Sequence, residues 1–147
     1  MTTDDHSADH GATSGRWDPM ALKAGASVAL VFAVPFSIAA RWAADSQDDS
    51  ALAIWLSLGA VVGFVLGAGC AAWVQRLNLP YSHALATATG TYLAAQAVFI
   101  LFRLLRGADV SWFAAFFNLS VVVGAGVLGG ALGQRLRSKG FRPTGLG

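Results

Sequence analysis

Four long apolar segments, separated by short polar stretches, restrict what this chain can fold into more than any other feature. They run over residues 21–44, 52–74, 83–105 and 112–132. A helix of about 20 residues crosses the ~30 Å hydrocarbon core of a bilayer. Every segment is apolar on all sides and lacks the polar stripe of a surface helix in water. The sequence therefore predicts an all-α membrane protein, an antiparallel bundle of four transmembrane helices.

The composition indicates that lipid, rather than water, surrounds the fold. Charged residues make up 12% of the 147 residues, whereas a soluble domain carries about 25%. Four wholly apolar helices use most of a chain of this length. Too few residues remain to form a second layer that would shield these helices from water. The formal charge of +2 is too small to indicate nucleic acid, so the lipid bilayer is the expected partner.

Both ends of the chain predict polar tails around the membrane domain. Residues 1–18 are rich in Asp, Ser, His and Gly, which predicts a disordered tail. Residues 19–137 form the predicted transmembrane domain, and residues 138–147 a basic C-terminal tail.

The distribution of Lys and Arg predicts the orientation, because these residues are enriched in cytoplasmic loops. With both termini inside, seven lie inside and three outside, which favours an N-in, C-in protein of the cytoplasmic (inner) membrane. The inside set is Arg16, Lys23, Arg76, Arg135, Arg137, Lys139 and Arg142, and the outside set is Arg41, Arg103 and Arg106.

Small residues recur at every fourth position in three of the segments. Helices in lipid associate through close packing, and rows of small residues let two backbones approach. This glycine-zipper pattern predicts helix-packing faces at Gly59, Gly63, Gly67, Gly90, Gly126, Gly130 and Gly133. The rows either pack within one bundle, which we favour, or form an oligomer interface. Two rows used inside the bundle would leave the third for a partner.

The second and fourth segments also resemble each other. Both begin with Leu-Ser, and Gly63 and Gly67 of the second match Gly126 and Gly130 of the fourth. A duplicated helical hairpin and a shared small-residue composition each account for the match.

Uncharged polar side chains are further candidates, because the central portions of the segments contain no ionisable residue. Thr87, Thr91 and Gln96 lie in the third segment and Asn118 in the fourth. Gln96 and Asn118 fall at similar depths, so we expect a hydrogen bond between them. The alternative is that all four side chains line a polar pore.

The stretch "GFVLGAGCAAWVQRLNLPYSHALATATGTY" carries a family resemblance. A glycine-rich second helix ends in a basic turn, and a His-Ala step then opens the third helix. This layout, over about residues 59–92, loosely resembles small uncharacterised four-transmembrane-helix bacterial membrane proteins. The resemblance implies the four-helix fold and no catalytic or binding residues.

No motif of enzymatic chemistry is present, and we predict that the chain is not an enzyme. The sequence has no nucleophile–base pair, P-loop, metal signature or dinucleotide fingerprint, so no cofactor or metal is expected. Asp5, His6, Asp9 and His10 are interpreted as part of a solvated tail rather than a metal site.

The leading hypothesis is a non-enzymatic accessory or assembly subunit that acts by glycine-mediated helix packing. Its partner is a second copy of the chain or a larger membrane complex. The alternative is a small oligomeric channel or transporter lined by polar groups of the third and fourth helices. A membrane enzyme ranks last.

Overall fold

The computed structural model describes residues 17–46 and 50–141, which form four α-helices. These are α1 (Pro19–Ser46), α2 (Ser50–Val74), α3 (Pro80–Leu105) and α4 (Trp112–Ser138). Each helix is long and apolar enough to cross a membrane. The predicted all-α four-helix fold is therefore confirmed. Residues 1–16, with the predicted tail and its Asp and His residues, and residues 142–147 lie outside the described part of the chain.

Three helices begin earlier than the apolar segments, because polar and proline residues form their first turns. Asp18 Oδ1 accepts hydrogen bonds from Met20 N at 3.1 Å and Ala21 N at 3.3 Å, which caps the start of α1. Pro19 and Pro80 are the first residues of α1 and α3, a position where the missing proline N–H is not needed.

Helix α4 continues to Ser138, whereas the apolar segment ends at residue 132. A glycine sets this end: Gly140 has a φ of 81° and donates its N–H to Arg137 O at 3.0 Å. Phe141 N donates to Leu136 O at 3.2 Å. These two bonds form a Schellman motif, so the polar residues after position 132 continue the helix as far as Ser138.

Helix α2 is the centre of the bundle. It packs extensively against α1 and α4 and also contacts α3. Helix α3 contacts the other three helices less extensively, and α1 and α4 do not touch each other within the described residues. Helices α2 and α4 run parallel, because Gly129 lies against Ala68 and Gly133, one turn further on, lies against Ala72. We call the end that holds the start of α1 and the end of α4 the termini end. The opposite end, with the α1–α2 and α3–α4 connections, is the hairpin end.

Small residues fill the interior of the bundle, and large apolar residues cover its exterior. Alanine supplies most of the buried apolar side chains, and Phe64, Tyr92 and Val122 are the larger ones among the described residues. On the outside, Phe113 is 84% exposed and Leu105 is 75% exposed. Soluble monomers rarely expose apolar patches larger than a few hundred Å². This arrangement suits lipid, in which close packing of small residues holds helices together.

Candidate functional site

The tightest helix contact joins α1 to α2 through facing rows of small residues. A Cβ placed on Gly63 would lie 2.7 Å from Ala33 N, and one on Gly67 would lie 2.7 Å from Ala29 Cβ. A Cβ on Gly25 of α1 would in turn lie 2.6 Å from the carbonyl oxygen of Gly67. Real Cβ atoms essentially never approach other atoms this closely. The α1–α2 distance therefore requires glycine at these positions.

Gly59, at the hairpin end of the same row, meets a side chain instead of a backbone. A Cβ there would lie 2.7 Å from Phe36 Cδ1. Phe36 is exposed, so its ring has room to move. Gly59 is consequently less restricted than Gly63.

Helix α4 presents one glycine row to α2. A Cβ on Gly129 would lie 2.6 Å from Ala68 Cβ, and one on Gly133 would lie 2.6 Å from Ala72 Cβ. The backbone of α2 is also close, because Gly129 would meet Val65 O at 2.6 Å. The predicted Gly133 therefore lies in a contact between parallel helices.

A second glycine row of α4 faces α3. A Cβ on Gly126 would lie 3.3 Å from Ala88 Cβ, and one on Gly130 would lie 3.3 Å from Ala84 Cβ and 2.8 Å from Tyr81 Cδ1. The second hairpin thus pairs glycines of its second helix with alanines of its first, as the α1–α2 hairpin does. A duplicated hairpin would give this shared pairing.

Of the predicted packing glycines, Gly90 is the one that contacts no other helix. No heavy atom lies within 4 Å of a Cβ placed there. Ser82, Ala86, Gly90 and Ala94 follow one another at four-residue spacing, and all except the half-buried Ala86 are exposed. We call these four residues the α3 outer row. At Gly90, no other helix of the bundle packs against this row.

The four predicted polar residues do not share one face. Thr87 and Thr91 are buried, and the Thr87 methyl Cγ2 would lie 2.9 Å from a Cβ on Gly25. Gln96 follows Thr87 by nine residues, about 2.5 turns, so it lies on the opposite side of α3. Gln96 and Asn118 are half-buried, and the described part of the chain forms no hydrogen bond between them. Similar depth alone does not place two side chains on facing surfaces.

Tyr92 makes the polar contact between α3 and α4 instead. Its hydroxyl donates a hydrogen bond to Ala115 O at 2.8 Å. Its ring packs edge-on against Phe64 of α2, with ring centroids 6.4 Å apart. One aromatic pair therefore links three helices.

At the termini end, Asp18 fastens the start of α1 to the α2–α3 connection. Asp18 Oδ2 accepts from Arg76 N at 3.2 Å, and Asp18 N donates to His83 Nε2 at 2.8 Å. His83 Nδ1 lies 2.9 Å from Leu79 O. Because a carbonyl oxygen only accepts, Nδ1 is the ring donor in this arrangement and Nε2 is the acceptor. The Trp17 ring packs edge-on against the His83 imidazole, with centroids 5.6 Å apart.

We call Trp17, Asp18, Arg76 and His83 the clasp. The sequence predicted a disordered tail as far as residue 18, but Trp17 and Asp18 are part of the folded bundle. The His83 imidazole explains this position. It is 0% exposed, so its Nε2 needs a hydrogen-bond donor within the protein, and Asp18 N supplies one.

The end of α4 is joined to the same connection. The Arg137 guanidinium donates to Gln75 O at 3.1 Å and to Asn78 Oδ1 at 3.0 Å. Asn78 has a φ of 56°, a left-handed conformation that asparagine adopts more readily than most residues. Gln75 Oε1 also accepts from Leu79 N at 3.2 Å. All four helices therefore meet at the termini end through polar contacts.

Sequence reasoning missed two features of these contacts. The α1 row of Ala21, Gly25, Ala29 and Ala33 has the same four-residue spacing as the predicted rows, but it contains a single glycine. Asp18 followed by Pro19 is a helix-start signal, a capping residue before a first-turn proline. Both the spacing of the α1 row and the Asp18–Pro19 pair can be seen in the sequence.

The fold and its apolar exterior define the class of this protein as a multi-pass α-helical membrane protein. Comparison with protein families, curated proteins and solved structures finds no match. Within residues 17–46 and 50–141, no group of three or more His, Cys, Asp or Glu side chains is placed to hold a metal ion.

Proposed function

We propose that this protein is a non-enzymatic accessory or assembly subunit that binds a partner helix through the α3 outer row. One observation carries the proposal: Gly90 lies within a mostly exposed row of small residues, and a Cβ placed on it would meet no other helix of its own chain. In water a helical glycine costs about 1 kcal/mol relative to alanine. In lipid, rows of small residues allow a second helix to approach closely.

The other exposed glycine of the helices supports this choice by contrast. Gly124 on α4 also has no atom within 4 Å of a placed Cβ. However, Leu128 follows it by four residues and is 61% exposed, so its row is blocked by a large side chain. The α3 outer row has small residues on both sides of Gly90 and can receive a helix along its length.

The chemistry of the row defines the partner as a transmembrane helix with small residues of its own. A second copy of this chain meets that requirement, because a two-fold dimer places the same row on both sides of the interface. A helix of a larger membrane complex meets it equally. In both cases the protein acts by packing rather than by chemistry.

Replacing Gly90 with leucine is expected to abolish association without unfolding the bundle. The new side chain would fill the α3 outer row, and its Cβ would meet no atom of another helix. We expect association to weaken at least tenfold, about 1.4 kcal/mol, measured by co-purification from mild detergent and by energy transfer between labelled copies in vesicles. Energy transfer reports self-association, and co-purification reports a larger complex.

Gly124→Leu is the matched control, because it adds the same side chain at an exposed glycine on another helix. It is expected to leave association unchanged. Equal association of the wild-type protein and the Gly90→Leu variant by both measurements would refute the proposed docking face.

We also propose that the termini end faces the cytoplasm and that the protein resides in the inner membrane. Lys and Arg favour the cytoplasmic side of short loops, and the described positive residues are more numerous at the termini end. They are Lys23, Arg76, Arg135, Arg137 and Lys139, against Arg41, Arg103 and Arg106 at the hairpin end. Exposed Trp42, Trp55 and Trp112 near the hairpin end support a membrane–water interface there.

The alternative function, a channel or transporter, has less support from the geometry. Thr87 and Thr91 lie in the buried contact of α3 with the rest of the bundle, whereas Gln96 lies on the other side of α3. A single pore through one bundle would therefore not be lined by both the threonines and Gln96.

A further inference from the structure

An apolar groove with one positive residue lies on the outer surface of α2 and α4. Its lining comes from Val65 of α2 and from Leu128, Ala131, Leu132 and Arg135 of α4. Val65 and Ala131 are half-buried, whereas the other three residues are exposed. Short side chains therefore form the inner side of the groove and longer ones its rim. We call these five residues the α2–α4 groove. Its volume is about 300 Å³, at the lower end of the range for ligand pockets in proteins.

The α2–α4 groove extends from the depth of acyl chains to the depth of lipid headgroups. Helix α4 has 27 residues and is about 40 Å long at 1.5 Å per residue, whereas the hydrocarbon core is about 30 Å thick. For α4 centred in the bilayer, Arg135 lies at the boundary of the core, about 5 Å before the end of the helix at Ser138. Leu128 lies about 10 Å deeper than Arg135.

The Arg135 side chain has no hydrogen-bond or ion-pair partner within the described residues. Arg137, two residues on, instead donates both of its hydrogen bonds to the α2–α3 connection. The acidic side chain described at the termini end, Asp18, accepts from backbone N–H groups of α1 and of Arg76. The dipole of α4 favours a cation in its last turn, but this does not explain why one borders an apolar groove.

We propose that the α2–α4 groove holds one acyl chain of an anionic phospholipid and that Arg135 binds the phosphate group of the same lipid. The apolar lining suits a hydrocarbon chain, which a water-soluble anion lacks. A guanidinium presents a planar fork of N–H donors that matches phosphate oxygens. Basic pockets between transmembrane helices bind anionic headgroups in this way. The inference is independent of the α3 outer row, because α3 contributes no residue to the groove.

Lipid titration of the purified protein tests the proposal. The full chain in neutral detergent is titrated with phosphatidylglycerol, with phosphatidylcholine and with glycerol phosphate, which has the anionic group but no acyl chain. Bound molecules are counted by native mass spectrometry. We expect phosphatidylglycerol to bind about fivefold more tightly than phosphatidylcholine, the effect of one arginine near an anionic lipid. Glycerol phosphate is expected not to displace it at equal concentration.

Arg135→Gln is expected to remove the preference for phosphatidylglycerol. Arg106→Gln is its matched control, because it removes an exposed arginine from the end of another helix, and it is expected to keep the preference. Arg135 is exposed, so its replacement is expected to leave the fold intact.

Ala131→Leu tests the apolar part of the groove. The larger side chain would fill the inner side of the groove while Arg135 stays in place, so we expect both lipids to bind at least threefold more weakly. Ala114→Leu is the matched control, because Ala114 is an exposed alanine of the same helix outside the groove. If Ala131→Leu does not fold, Arg135→Gln and the glycerol phosphate titration still decide the proposal.

Three results would overturn the proposal. The first is equal phosphatidylglycerol binding by the wild-type protein and by Arg135→Gln, or an equal loss in Arg106→Gln. The second is displacement of phosphatidylglycerol by glycerol phosphate at equal concentration, which would indicate a site for a soluble anion. The third is an Ala131→Leu protein that binds lipid normally but shows weaker energy transfer between labelled copies, which would assign the groove to a partner helix.

Discussion

Replacing Gly63 with leucine is expected to unfold the bundle or to destabilise it by about 3 kcal/mol or more. A Cβ at this position would already lie 2.7 Å from Ala33 N, and leucine adds three further carbon atoms. Overpacking commonly costs about 1–3 kcal/mol where side chains can yield, but here the neighbour is the backbone of α1. The measurement is the unfolding of the purified protein by sodium dodecyl sulfate in mild-detergent micelles, followed by circular dichroism.

Gly90→Leu is the control for this prediction, because it makes the same exchange in the middle of a helix where nothing lies within 4 Å. Its unfolding midpoint is expected to stay near that of the wild-type protein or to rise, since leucine is a better helix former than glycine. If both variants unfold at the wild-type midpoint, the close α1–α2 contact does not exist. The two leucine variants thus separate folding from association.

Replacing Asp18 with alanine is expected to destabilise the termini end by about 2 kcal/mol. The change removes a helix cap, worth about 0.5–2 kcal/mol, and the hydrogen bond that Asp18 Oδ2 accepts from Arg76 N, worth about 1 kcal/mol. The carboxylate oxygens accept from Met20 N, Ala21 N and Arg76 N. The same unfolding measurement reports the loss, and hydrogen exchange is expected to quicken in the first turn of α1.

Asp109→Ala is the matched control at the hairpin end, where Asp109 is exposed. It removes the same charge and is expected to change the stability by less than 0.5 kcal/mol, as surface substitutions usually do. Asp18→Asn is expected to fall between the two, because its amide oxygen can still cap α1. An Asp18→Ala protein as stable as Asp109→Ala would contradict the role of the clasp.

The number and type of helices could be predicted from sequence because lipid-spanning segments carry a strong signal. Their apolar stretches are long enough to span a bilayer and are separated by polar turns. The ends were less predictable, since apolar length says nothing about capping. The continuation of α4 to Ser138 depends on Gly140 and its two backbone hydrogen bonds, and the start of α1 depends on Asp18.

The direction in which each face of α3 points could not be derived from spacing alone. Thr87 and Thr91 form one row, and Ala86, Gly90 and Ala94 form the adjacent row. Either row could have packed inward. In the structure the threonine row is inside, where polar groups in a membrane protein are usually found, and the small-residue row is left outside. Predicting this would have required weighing polar burial against close packing.

The packing row of α1 was not predicted, for a related reason. Attention to glycine alone misses Ala21, Ala29 and Ala33, although alanine is small enough to face a glycine row. The structure pairs Ala29 and Ala33 with the glycines of α2. In α1 a row of mixed alanine and glycine therefore forms a packing face, as the glycine row of α2 does.

The central claim is that these four helices cross a lipid bilayer, with small residues inside the bundle and large apolar residues against lipid. Flotation of alkaline carbonate-washed membranes in a sucrose gradient tests it most directly. We predict that the full chain rises with the lipid after the wash, which strips peripheral proteins, whereas aggregates stay at the bottom of the gradient. Recovery of the chain in the carbonate supernatant, as a compact monomer without detergent, would contradict it.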